Sequence, residues 1–148
     1  MVPLTLKRMK KQESSLLTAT AFITPSCLQI LTQVSVASAD NEHGPADAIA
    51  LWDTGAESCG ISKKLVERLG LKPLKWKKVV RYADGTVREE NVYLVSFFFP
   101  PNGYKATLYA FEFGDAAQDV IIGMEIIRHG RFKIEPMSDG NARFMFTL

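Results

Sequence analysis

Turn signals cut this chain into runs too short for long helices. Gly44-Pro45, Gly70, Asp84-Gly85, Pro100-Pro101-Asn102-Gly103 and Gly130 each interrupt stretches rich in Val, Ile, Leu, Thr and aromatic residues. Glycine frees the backbone and proline removes a donor, so both punctuate regular structure. Between them the apolar residues alternate or form short unbroken runs, the patterns of half-buried and fully buried strands. At 148 residues the chain fits one domain, with room for a core but not for two lobes. The expected fold is all-β, a small closed or nearly closed β-barrel with one or two short helices.

Residues 1–24 read as a basic, loosely ordered N-terminal tail and residues 25–148 as the domain. Cys27–Ala37 suits a strand covered on one face, and Ala46–Trp52, nearly uninterrupted, a strand buried on both. Ser62 as N-cap, Leu65, Val66 and Leu69 on one face and Gly70 just beyond predict a two-turn helix. Lys77–Tyr82 and Val87–Phe99 flank Asp84-Gly85, a strong hairpin signal. Tyr104–Phe113 alternates, Asp119–Gly123 gives another strand, and Glu125–His129 a second short helix stopped by Gly130. Phe132–Glu135 and Arg143–Leu148 close the chain, with Phe144, Phe146 and Leu148 on one face.

A net charge of +2 does not point to nucleic acid or an anionic membrane. Basic residues cluster at Lys7, Arg8, Lys10 and Lys11 and at Lys72, Lys75, Lys77, Lys78 and Arg81 around Trp76, but no nucleic-acid motif accompanies them, and solvated faces explain both. Cys27 and Cys59 make no disulfide framework and are expected as small buried hydrophobes. With His43 and His129 they are too scattered for a metal site, so no metal or cofactor is expected. Lys7–Lys11 followed by Leu16–Ile23 has some character of a secretory leader, but Thr18, Thr20, Thr24 and Ser26 interrupt it. The segment reads as a tail and first strand, and the expected location is cytoplasmic.

Chemistry enters at Ala50-Leu51-Trp52-Asp53-Thr54-Gly55-Ala56, where an apolar strand ends in an acid, a hydroxyl and a glycine. Asp-Thr-Gly alone arises by chance in roughly one chain in thirty or forty of this length. Two further segments strengthen it: Asp119-Val120-Ile121-Ile122-Gly123-Met124-Glu125, a strand running into glycine and a helix, and Val80-Arg81-Tyr82-Ala83-Asp84-Gly85-Thr86, a strand, tight turn and strand.

Taken in chain order, the three segments resemble the retropepsin-like aspartic proteases, the single-domain, retroviral type, as a cellular or prokaryotic member. The resemblance implies an acid-protease barrel and an aspartic endopeptidase in which Asp53, Thr54 and Gly55 form the catalytic loop. It places Ala56, Tyr82, Ala83, Asp84 and Gly85 with Ile122 and Gly123 as the flap and floor that hold an extended peptide. Metal-free hydrolysis needs one group to deprotonate water and another to protonate the carbonyl oxygen, and two adjacent carboxylates can do both. The chain supplies one such loop. Asp84 and Asp139, the other acids beside turn glycines, lack the buried strand that leads to Asp53. The resemblance therefore implies a homodimer acting on a peptide or protein substrate, without nucleic acid or membrane. The alternative is a catalytically silent retropepsin-like binding or dimerisation module.

Two departures from the family pattern stand out. Ala56 replaces the serine common in the pepsin-like branch, which implies a mildly acidic activity optimum. Met124 and Glu125 follow Gly123 where many retroviral enzymes carry a basic residue that braces the dimer, so that ion pair does not carry over.

Overall fold

A computed structural model describes residues 4–8, 17–100, 103–114 and 116–148. In chain order these form β1 (Thr5–Arg8), β2 (Ala19–Ile23), β3 (Leu31–Ser38), β4 (Ala46–Trp52), β5 (Gly60–Ser62), α1 (Lys63–Leu69), β6 (Lys77–Arg81), β7 (Val87–Phe99), β8 (Tyr104–Phe113), β9 (Val120–Ile122), α2 (Met124–Ile127), β10 (Arg131–Pro136) and β11 (Ala142–Thr147). The large sheet runs β1-β8-β5-β9-β4-β3-β7-β6, and a further β7–β8 pairing closes its six central strands into a barrel. A second sheet, β10-β11-β2, has three strands.

Strand alternation builds the barrel core. Ala106, Leu108 and Ala110 of β8 are buried while Lys105, Thr107 and Tyr109 between them are partly exposed. Val34 and Val36 of β3, Val95 and Phe97 of β7 and Ile122 of β9 are buried in the same cluster. Trp52 ties the barrel to the second sheet. Its ring packs 5.1 Å from Phe144 and 4.8 Å from Phe146, and its indole N–H donates to Thr32 Oγ1 at 2.9 Å. Such a buried aromatic is worth about 3–5 kcal/mol against alanine.

The two most local expectations are met. Ser62 caps α1 by accepting from Leu65 N at 3.0 Å, and Gly70 ends it with a left-handed φ of 66°. In the hairpin, Arg81 pairs with Val87 and Gly85 takes φ 86° at the turn.

Other expectations are corrected. The segment before residue 25 is not simply a tail, because β1 pairs with β8 and β2 with β11. Lys10 and Lys11 lie outside the described residues, as do Pro101 and Asn102 of the next turn. The strand expected from Cys27 begins at Leu31, since Thr24 and Cys27 first close a small turn through mutual backbone bonds of 3.1 and 3.0 Å. That turn leaves Cys27 half-buried, not in the core. Strand β4 is covered on one face only, with Ala48, Ala50 and Trp52 inward and Asp47 and Ile49 exposed. Strand β5 was not foreseen. It pairs parallel with β8 and antiparallel with β9, contacts that no local pattern announces.

Candidate active site

Burial of Trp52 decides where the following loop begins. The chain leaves the barrel at Asp53, which is half-buried, and Asp53 N donates to Ile122 O of β9 at 2.9 Å, extending the β4–β9 pairing by one step. Oδ1 of Asp53 accepts from Gly55 N at 2.8 Å, and Ala56 N donates to Asp53 O at 3.2 Å. The backbone thus turns tightly behind the carboxylate and aims an amide at it, a charge-assisted contact.

The strand-to-helix junction β9–α2 supports this loop. Met124 N donates to Ala56 O at 2.8 Å and Glu125 N to Glu57 O at 2.9 Å. Gly123 N points at Cys59 Sγ at 3.3 Å, and Cys59 N donates to Glu125 Oε1 at 2.5 Å. The Cys59 thiol is pushed well up, chiefly by burial and then by the nearby Glu125 carboxylate. It is a packing group, not a nucleophile.

The β6–β7 hairpin and the Asp53 loop share a cleft of 670 Å³. Asp53, Gly55, Ala56, Glu57 and Ser58 line it from the loop, residues 78–83 and Val87 from the hairpin, and Phe111 and Ile121 complete the lining. Lys78 of β6 donates its ammonium N–H to Ser58 Oγ, joining the hairpin base to the loop. Tyr82 donates its hydroxyl to Glu90 Oε1 at 2.9 Å, with Arg88 placed 5.8 Å from its ring centre. Burial, then that bond to Glu90, pushes the Tyr82 phenol up to about 12. Asp84 folds back on the turn, its Oδ1 accepting from Thr86 Oγ1 at 2.6 Å and Thr86 N at 2.9 Å. Those bonds hold its carboxyl below the usual range.

Asp53, Gly55, Ala56, Tyr82 and Ala83 therefore come together at one cleft. Thr54 is exposed beside it. Asp84 and Gly85 sit at the hairpin tip and do not line the cleft. Ile122 was expected on the floor, but strand alternation buries it completely and puts Ile121 in the cleft instead. Gly123 is buried and acts through its backbone. Asp139 accepts from Asn141 N at 2.9 Å in the β10–β11 turn. Glu57, Ser58, Lys78, Arg81, Phe111 and Ile121 line the cleft without having been singled out for it. Most of them adjoin or lie within the loop, the hairpin or the strand before Gly123, but Phe111 of β8 had no advance signal and reaches the cleft only through the sheet pairing. Among the described residues no group of three His, Cys, Asp or Glu could hold a metal ion, and no helix is long and apolar enough to cross a membrane.

A family model for aspartyl proteases matches residues 41–126, the stretch from before β4 into α2. The chain belongs to the aspartyl protease family. Its fold is retropepsin-like. A retropepsin-like aspartic protease from Rickettsia conorii superposes with a TM-score of 0.58 at 14% identity, over 99% of this chain and 98% of that one. The retroviral protease-like domain of Ddi1 from Leishmania major gives a TM-score of 0.43 at 16% identity, over 76% of this chain and 91% of that one. No curated protein matches the sequence. The matched stretch contains the Asp53 loop, the β6–β7 hairpin and the Ile121-Ile122-Gly123 segment.

Proposed function

We propose that this chain is an aspartic endopeptidase whose active unit is a homodimer, with Asp53 of each copy forming a single catalytic dyad. The reading is carried by one observation. The Asp53 carboxylate faces a cleft under a hairpin, while Asp84 and Asp139 are engaged in their own turns. A twofold axis beside the loop supplies an identical second carboxylate. Exposed Thr54 is the residue available to brace the two loops across it.

Two carboxylates 4 Å apart repel by about 4 kcal/mol at an effective dielectric of 20, so the pair retains one proton. The ionised member takes a proton from water as it attacks the scissile carbonyl, and the protonated member gives its proton to the carbonyl oxygen. The resulting diol then collapses as the C–N bond breaks, the carboxyl that took the water proton passing it to the leaving amine and the other regaining a proton from the diol hydroxyl. An extended peptide in the cleft adds main-chain hydrogen bonds to the hairpin residues around Tyr82 and Ala83. With Ala56 lacking a hydroxyl donor, the activity optimum is mildly acidic; a profile peaking below about pH 3 contradicts this.

Hydrolysis of a fluorogenic peptide pool, with sedimentation to fix the oligomeric state, tests the proposal. Asp53→Asn lowers turnover by about 10²–10⁴-fold or more while the dimer persists. Glu57→Gln leaves turnover largely unchanged, and a statine-type mimic blocks it. Retained turnover in the Asp53 variant sinks the proposal. A monomer silenced by Glu57→Gln points to an Asp53–Glu57 pair within one chain.

A further inference from the structure

The loop carrying Asp53 rejoins the barrel at Cys59, which is fully buried. A buried amide needs an acceptor. Cys59 stands just before β5; its carbonyl accepts from Phe111 N of β8 at 3.3 Å, but its N–H goes to Glu125 Oε1 at 2.5 Å. The same residue gives its own N–H to Glu57 O at 2.9 Å. Glu125 thereby grips positions 57 and 59 at once, one through its main chain and the other through its side chain. Lys78 brings a positive charge to this cluster by donating to Ser58 Oγ.

An acid in the first turn of a helix has an ordinary explanation, attraction to the helix N-terminus. Here it falls short. Helix α2 has only four residues, and the Glu125 side chain turns back to the buried amide of another element.

We infer that Glu125 is a positioning residue, whose side-chain oxygen fixes the return of the catalytic loop and through it the placement of Asp53. Its catalytic consequence rests on the peptidase reading above, but its structural consequence does not. After Gly123, where the family pattern has a basic residue, this chain has Met124 and then Glu125, and the Glu125 carboxylate holds the loop from within one chain.

Three variants separate acceptor from charge. Glu125→Gln keeps an oxygen at the same reach and loses the charge. Glu125→Asp keeps the charge and falls one methylene short, and Glu125→Ala removes both. Amide hydrogen exchange of residues 56–60 is read in each, alongside kcat and KM for a cleaved peptide, thermal transition and sedimentation. In Glu125→Ala and Glu125→Asp the Cys59 amide exchanges at least about tenfold faster, and kcat falls at least about tenfold with KM little changed. Glu125→Gln stays close to wild type in both. The inference is overturned if Ala leaves exchange unchanged, or if Gln fails as completely as Ala and Asp. Should Ala not fold, the Gln and Asp pair decides alone. If the wild type cleaves no peptide, the peptidase reading fails, while the exchange data still decide whether Glu125 holds the loop.

Discussion

Gly123→Ala tests how rigidly the Asp53 loop is backed. The φ at Gly123 is −100°, open to any residue, so glycine is required there only for space. A Cβ would stand 2.5 Å from Ser58 O, 2.8 Å from Ser58 C and 2.9 Å from Ala56 O, against the 3.4 Å at which ordinary contact begins. All three are backbone atoms of the Asp53 loop, so no rotamer change relieves them. The loop must retreat by about 0.9 Å. Such a shift stretches the 2.8 Å bond from Met124 N to Ala56 O and the 2.9 Å bond from Glu125 N to Glu57 O beyond useful range. Two such bonds contribute about 1 kcal/mol each, and overpacking costs about 1–3 kcal/mol. The expected loss is about 3–5 kcal/mol, a fall in Tm of roughly 10 °C for a domain of this size. Calorimetry at matched protein concentration measures it, since association makes Tm depend on concentration. Peptide hydrolysis by the same variant should fall about 10²-fold, because displacements near 1 Å are expensive to catalysis. A Tm within about 2 °C of wild type with normal turnover would refute the argument.

Three further predictions concern other groups. Asp84 is held ionised by Thr86, so its stabilisation of the hairpin tip is complete above its ordinary value of 3.8 and lost as pH falls through the lower folded value; the Thr86 amide shift should titrate with a midpoint below 3.8 and not at all in Asp84→Asn. The Tyr82 phenol, raised from 10 to about 12, favours the folded state fully below pH 10, and that contribution disappears as pH climbs between the two values. Ultraviolet titration should show late-ionising tyrosines, and Tyr82→Phe should remove the part near 12 while leaving that of Tyr93, which burial and its bond to Glu112 also push up. Native protein treated with iodoacetamide should be labelled at Cys27 and spared at Cys59, which is fully buried, and equal labelling of both would contradict the packing around the loop.

What could be read from the chain in advance follows the range of the interactions. Helix α1 was legible because its cap, apolar face and terminating glycine all lie between Ser62 and Gly70, and the hairpin because Asp84-Gly85 is its own turn signal. Strand β5 was not, because its partners stand at residues 111–113 and 120–121 and three residues carry no periodicity. The same limit applies to β1 and β2, whose partners lie about 100 or more residues away. Within the site, the Asp53 motif gave the acid and its loop, but not which of Ile121 and Ile122 meets the cleft. A one-residue change of parity exchanges their faces, and only the β4–β9 register fixes it.

Glu125 shows the limit most sharply. In the sequence it registers only as part of the pair Met124-Glu125 that follows Gly123 where the family pattern has a basic residue, a loss of one interaction. In the fold its side chain meets a buried amide 66 positions away, which makes it the acceptor that the return of the loop requires. A departure from a family pattern is therefore better read through the group it faces than through the charge it lacks. At this position the facing group is an N–H, which asks for an oxygen and would be repelled by a cation.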